Sequence, residues 1–212
     1  MEDEQSHRLQ HINLVNNRVI VEESYNGATP LHAAICFLQQ SQSPEESQVI
    51  VFTPKEDLYM VNEHVDTQHT RLTVDDWLLQ NGQKGRIARL LSQIQIIRVE
   101  DLIQLAICLA VYPSSNLHQE TPEEALMIII HDMSILPSDS TQTDVATTLA
   151  SPTPGSHYLP IVGNGLAAVQ LCKNKSQLLV LDSYMDSSSR QTLKCYLEEE
   201  RIPLDLPSDG LA

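Results

Sequence analysis

Five short runs of aliphatic, largely β-branched residues recur along the chain: Val19-Ile20-Val21, Val49-Ile50-Val51-Phe52, Ile94-Gln95-Ile96-Ile97, Met127-Ile128-Ile129-Ile130 and Leu178-Leu179-Val180-Leu181. Runs of this length, with little polar alternation, suit strands buried on both faces, as in a parallel sheet. Helical patterns lie between them. Pro30 to Gln40 opens with Thr29 as an N-cap and Pro30 at the first helical position, a start signal with a mechanism, because proline's missing N–H is one the helix leaves unpaired anyway. Glu100 to Val111 begins on two carboxylates, which complement the helix dipole, and is expected to stop before Tyr112-Pro113. Asp75 to Leu91 carries Trp77, Leu78, Ile87, Leu90 and Leu91 and is interrupted by Gly82 and Gly85. Residues 159 to 172 and 186 to 200 complete the expected helices.

Strands alternating with helices make βαβ units, and these close right-handed into a helix-covered parallel sheet. The expected fold class is therefore α/β. Between and beyond the periodic stretches the composition loosens. Residues 1 to 15 are polar and acidic, Gln39 to Gln48 reads as a surface connection, and 137 to 156 is rich in Ser, Thr, Asp and Pro. Residues 16 to 202 are expected to form one domain that includes 137 to 156 as a flexible loop, with 203 to 212 as a fraying tail.

Charge narrows the function classes. Thirteen Lys and Arg stand against 28 Asp and Glu, so the formal charge of the 212 residues is −15. Phosphate binding over a broad surface needs clustered Lys and Arg, which this balance denies. No apolar run reaches the ~20 residues of a membrane helix, and the opening MEDEQSHRLQ does not read as a secretion signal. No membrane association is expected. Cys36, Cys108, Cys172 and Cys195 are far apart and form no C-x-x-C pair, and His64 and His69 lack a third ligand at useful spacing. Free thiols in a reducing compartment, and no metal site, are the expectation.

The informative segment joins the first strand to the first helix. It runs Val19-Ile20-Val21-Glu22-Glu23-Ser24-Tyr25-Asn26-Gly27-Ala28-Thr29-Pro30. The phosphate-binding loop G-x-x-x-x-G-K-[ST] occupies the same kind of strand-to-helix junction. Laid over that pattern, Glu22 stands at the first glycine, Gly27 at the second, Ala28 at the lysine and Thr29 at the Ser/Thr. The length fits and the chemistry does not. Ala28 cannot supply the cation that meets the β- and γ-phosphates. Glu22 and Glu23 place negative charge where triphosphate charge would sit, and like charges a few ångströms apart repel by on the order of kcal/mol. An ordinary βα turn ending in Gly-Ala-Thr accounts for the same residues.

About a hundred residues on, Ala125 to Ile130 form an apolar run that ends in His131-Asp132. An apolar strand delivering an Asp to the edge of a site is the Walker B layout. Taken in order, SYNGATPLHAAICFL, VIVFTP, IQIIRVEDLIQLAICLA, ALMIIIHDMSIL and QLLVLDSY resemble the core of a RecA-family ATPase over about Val19 to Ser183. They look most like the small recombinase paralogues of eukaryotes, of the Shu-complex type, with degenerate Walker motifs. The resemblance implies a RecA-like, mostly parallel sheet flanked by helices and a nuclear location. It also implies a non-catalytic role in homologous recombination repair, assisting recombinase filament assembly on single-stranded DNA. Its partners would be other recombinase paralogues in a hetero-oligomer and the main recombinase, with single-stranded DNA reached mainly through the complex and no cofactor required. A second family of worn-down RecA folds, the accessory subunits of Elongator in tRNA modification, fits the short acidic chain as well. A RecA-type ATPase with an unusual nucleotide site is the third reading.

Two surface features bear on partners. Lys84, Arg86, Arg89 and Arg98 concentrate positive charge in an acidic chain, and Arg86 and Arg89 share a helix face at i, i+3. They are candidates for contact with single-stranded DNA, although no aromatic side chains interleave to stack on bases; solvated ion pairs are the plainer reading. The Trp77-Leu78-Leu79 segment is a candidate partner surface, with core packing as the alternative for Trp77. No nucleophile elbow, H-E-x-x-H or Cys/His pair is present, so no catalytic residue is assigned. Asp132 and Asp182, each ending an expected strand, are read as caps or remnants.

Overall fold

The computed structural model describes residues 18–21, 28–41, 47–55, 58, 73–83, 85–116, 125–137, 158–171 and 174–201, of which 18–21, 86, 112–116, 174–175 and 199–201 are described by their backbone alone. The chain runs β1 (Arg18–Val21), α1 (Thr29–Gln40), β2 (Gln48–Pro54), α2 (Val74–Asn81), α3 (Gly85–Leu91) and β3 (Ile94–Val99). It continues through α4 (Leu102–Asn116), β4 (Ala125–His131), a 3₁₀ turn (Met133–Ile135), α5 (Tyr158–Leu171), β5 (Asn174–Asp182), α6 (Ser187–Leu193) and β6 (Glu198–Arg201). Among the described residues the strands form one sheet in the order β3-β2-β4-β5-β1-β6, and every pairing in it is parallel. The α/β expectation holds, in a form compatible with a RecA-like core.

Side chains alternate across the sheet and build a core on each face. Ile50, Phe52, Ile128, Ile130, Leu178 and Val180 point to the face covered by α4 and α5, where Leu105, Leu109, Ile161 and Val162 meet them. Val49, Val51, Met127, Ile129, Leu179 and Leu181 point to the other, covered by Leu31, Leu38, Val74 and Trp77. Double-sided cover is why β2, β4 and β5 read as unbroken apolar runs. On the first face α5 comes close to the sheet at Gly165, where an added Cβ would stand 3.0 Å from Leu178 Cδ1.

Several boundaries differ from expectation. Thr29 is the first residue of α1 rather than its cap, because Ala28 already has helical backbone angles (φ −76°, ψ −29°). The 75–91 helix is two helices, broken at Gly82 and the residues after it; its start is fixed by Thr73, whose hydroxyl accepts the Asp76 N–H at 3.0 Å while Asp76 accepts the Thr73 N–H. Helix α4 continues past Pro113 to Asn116, since proline removes one hydrogen bond without ending every helix that meets it. The helix expected over 186–200 stops at Leu193, and 198–201 (EEER) instead forms edge strand β6 beside β1. Residues 1–15, 138–156 and 203–212 lie outside the described residues, as do Cys172, His64 and His69.

Candidate functional site at the C-terminal edge of the sheet

In an open parallel sheet, groups that act on ligands gather beyond the carboxyl ends of the strands. Here β2, β4 and β5 deliver Thr53, His131, Asp132 and Asp182 to that edge, each 0 or 1% exposed. Thr53 Oγ1 lies 3.2 Å from His131 Nδ1. His131 Nε2 lies 3.4 Å from Asp132 Oδ2. Burial holds the His131 imidazole down to about 4, with Asp182 pulling it up and Arg98 pushing it down, so the ring is neutral at pH 7.

The two carboxylates are tied into the turns that follow the strands. Asp132 Oδ1 accepts the N–H of Ser183 at 2.8 Å. Asp182 Oδ2 accepts the N–H of Ser134 at 2.9 Å, while its Oδ1 accepts the Tyr184 N–H at 2.9 Å and the Ser134 hydroxyl. The backbone of Asp132 donates to Leu181 O at 2.7 Å and adopts left-handed angles (φ 47°, ψ 46°), a conformation Asp tolerates better than most residues. Burial raises the Asp182 carboxyl to about 6, reinforced by the charge of Asp132 and opposed by the hydrogen bonds from Ser134 and Tyr184. The cap role expected of these aspartates is thus the one their contacts show. Sequence reasoning noted both residues but had no signal for His131 or Thr53, whose pairing spans 78 positions.

The loop candidates divide. Glu22 and Gly27 lie outside the described residues. Ala28 and Thr29 are buried at the start of α1, 3% and 7% exposed. Because α1 follows β1, they belong to the same edge of the sheet as Asp132, with β5 between the two strands. Among the described residues no group of three or more His, Cys, Asp or Glu could hold a metal ion.

The basic residues do not gather into one patch in what is described. Arg98, on β3, donates to Asp75 Oδ1 of α2 at 2.6 Å, which is the ion-pair reading. Arg89 is exposed on α3, while Lys84 and the Arg86 side chain lie outside the described residues. Trp77 is 3% exposed and stands edge-on to His32, ring centroids 5.4 Å apart. The expected partner segment is therefore corrected: Trp77 is core, Leu78 packs against the core, and Leu79, one residue on, is the exposed member at 82%. Helical geometry turns Leu79 about 200° from Trp77. Of the cysteines, Cys36 is buried, with its thiol pushed up to about 11 by burial, and Cys195 is exposed. No helix among the described residues is long and apolar enough to cross a membrane. Neither the family models nor the curated proteins searched contain a match to this chain.

Proposed function

We propose that this chain is a non-catalytic RecA-like scaffold, a recombinase-paralogue subunit of the Shu-complex type that assists recombinase filament assembly through its protein partners. The observation that carries the reading is the use made of Asp132. In a nucleotide-hydrolysing site the corresponding strand-end carboxylate faces a metal ion and its water. Here it is fully buried, accepts the Ser183 N–H and stands beside a neutral imidazole. A carboxylate shut away from solvent, with one oxygen given to the fold's own backbone, supports a structural use over magnesium binding. Ala28 at the lysine position and Glu22-Glu23 before it act in the same direction. A fold of this class without a working site is left with its surfaces.

Affinity purification of the full chain from its own cells tests the biological half of this reading. Recovery of recombination proteins supports it. Recovery of tRNA-modification subunits without them replaces it with the Elongator-type accessory role. Calorimetric titration with MgATP tests the other half: no sub-millimolar binding is expected, and binding that Thr29→Ala abolishes would restore the ATPase reading.

A further inference from the structure

Two acids share one buried place where β4 and β5 end. Asp132, just past β4, and Asp182, the last residue of β5, are each 0% exposed, and their bonds to backbone cross from one strand's turn to the other's. Adjacent strands lie about 4.8 Å apart, so two ionised carboxylates here repel with little water to screen them. The elements packed around the pair bring further groups. His131 of β4 is kept neutral by burial and feels both Asp182 and Arg98 of β3. β2 contributes the Thr53 hydroxyl, bonded to His131. On α5, burial and then the charges of Asp182 and Asp186 push the Tyr158 hydroxyl up to about 12, so it stays protonated.

What Asp182 holds is the seat of a helix. Ser134 gives Asp182 both its N–H and its hydroxyl and lies in the 3₁₀ turn Met133–Ile135. Met133 and Leu136 are buried in the core with Leu102 and Leu105 of α4. Pro137 O, one residue on, accepts the N–H of Leu102 at 3.3 Å, one of the opening N–H groups that a helix cannot satisfy internally. We propose that Asp132 and Asp182 form a proton-operated clasp: one proton on the pair holds the 133–136 turn against the end of β5, and its loss loosens that turn and, with it, the start of α4. A singly protonated pair keeps its backbone bonds without the repulsion that a doubly ionised pair adds. Burial and the charge of Asp132 raise the Asp182 carboxyl to about 6, so the clasp is firm in acid and loosens as pH rises through that value. The turn stays closed most of the time on either side of it; what changes is how often it opens. The clasp involves neither nucleotide nor partner and is independent of the scaffold reading.

Amide hydrogen exchange of the full chain, followed by NMR from pH 5 to 7 and corrected for the intrinsic pH dependence of exchange, tests the clasp. The opening constants at the Ser134, Ser183 and Leu102 amides are expected to rise together by about tenfold over that range, with the buried Ile129 amide of β4 opening far less often at every pH. Asp182→Asn keeps an acceptor oxygen but cannot titrate, so it should flatten the three profiles. Asp132→Asn, a residue type that tolerates the left-handed backbone there, removes the neighbouring charge and should move the rise to lower pH; it also decides the matter if Asp182→Asn does not fold. Flat profiles in the parent overturn the proposal, as does a rise that survives Asp182→Asn or that Asp132→Asn leaves in place. Opening at Ser134 equal to that at Ile129 also overturns it, since the event is then global unfolding. So does a Leu102 amide that fails to follow Ser134, since the turn then does not govern α4.

Discussion

Asp132 and Asp182 exchange caps. Asp182 is the last residue of β5 and Asp132 the first beyond β4, and each carboxylate accepts the N–H of a residue in the turn that follows the other strand, Asp132 from Ser183 at 2.8 Å and Asp182 from Ser134 at 2.9 Å. The exchange ties the ends of β4 and β5 together just where the ladder between them ceases. Hydrogen bonds to a carboxylate are worth more than neutral ones, and losing the acceptor strands the donors. Asp182→Ala is accordingly expected to cost about 2–3 kcal/mol in urea unfolding, and Asp182→Asn distinctly less, because its amide oxygen still accepts. Equal losses for the two substitutions would show that the charge, rather than the acceptor geometry, matters.

Stability should depend on pH through the same residues. The Asp182 carboxyl titrates near 6 in the folded chain against an ordinary 3.8, so the folded state binds the extra proton between those values. Its stabilising contribution is complete below about pH 4 and is lost as pH rises through 6. His131 and His32 are both held down to about 4, chiefly by burial. Their contribution has the opposite sign, present above their ordinary value near 6.5 and lost as pH falls toward 4. Asp182→Asn removes the opposing term, so between pH 4 and 6 the variant's stability should climb with pH more steeply than the parent's, by up to about 1.4 kcal/mol per unit. Parallel slopes from melts across that range would contradict the burial-raised carboxyl.

Two glycines in α5 should answer the same substitution with opposite signs. A Cβ on Gly163 meets nothing within 4 Å, whereas one on Gly165 meets Leu178 Cδ1 and Cδ2 at 3.0 and 3.1 Å. Gly163→Ala should stabilise by up to about 1 kcal/mol through helix propensity. Gly165→Ala has the same propensity gain but crowds the buried Leu178, and is expected to be a net loss of about 1 kcal/mol. Chemical denaturation of the pair decides it, and a stabilising Gly165→Ala would mean α5 sits further from the sheet.

Trp77 is the chain's one tryptophan, so its fluorescence reports on the α1–α2 side of the core. Emission should be blue-shifted in the folded state. Trp77→Ala should cost about 3–5 kcal/mol. Trp77→Phe should cost less, because the buried indole Nε1–H has no hydrogen-bond partner among the described residues to lose. Red-shifted native emission would place the ring in water and return it to the surface.

What was legible in the sequence follows from how each element is stabilised. β2, β4 and β5 are covered by helices on both faces, and only unbroken apolar runs can satisfy that, so their positions stood out. β6 was illegible for the converse reason: Glu198-Glu199-Glu200-Arg201 has no strand composition and is extended because β1 pairs with it. The 3.6-residue period of 75–91 showed helix but not which face looked outward, and Trp77 went to the core because it is the larger surface to bury. Asp132 and Asp182 were visible as strand ends. That each caps the other's turn depends on β4 and β5 being neighbours, which spacing along the chain does not encode.

The place of β1 has a consequence for how the chain is made. Of the described strands it is synthesised first, yet it is seated between β5 and β6, the last two to be synthesised. While β2, β3 and β4 can zip together as they emerge, Val19-Ile20-Val21 must wait for more than 150 further residues before either neighbour exists. During that interval an apolar strand with two open edges is exposed to any chaperone or neighbouring nascent chain. Closing the sheet is thus the slow, non-local step of folding, and a chain released before β5 is complete has no slot for its own first strand.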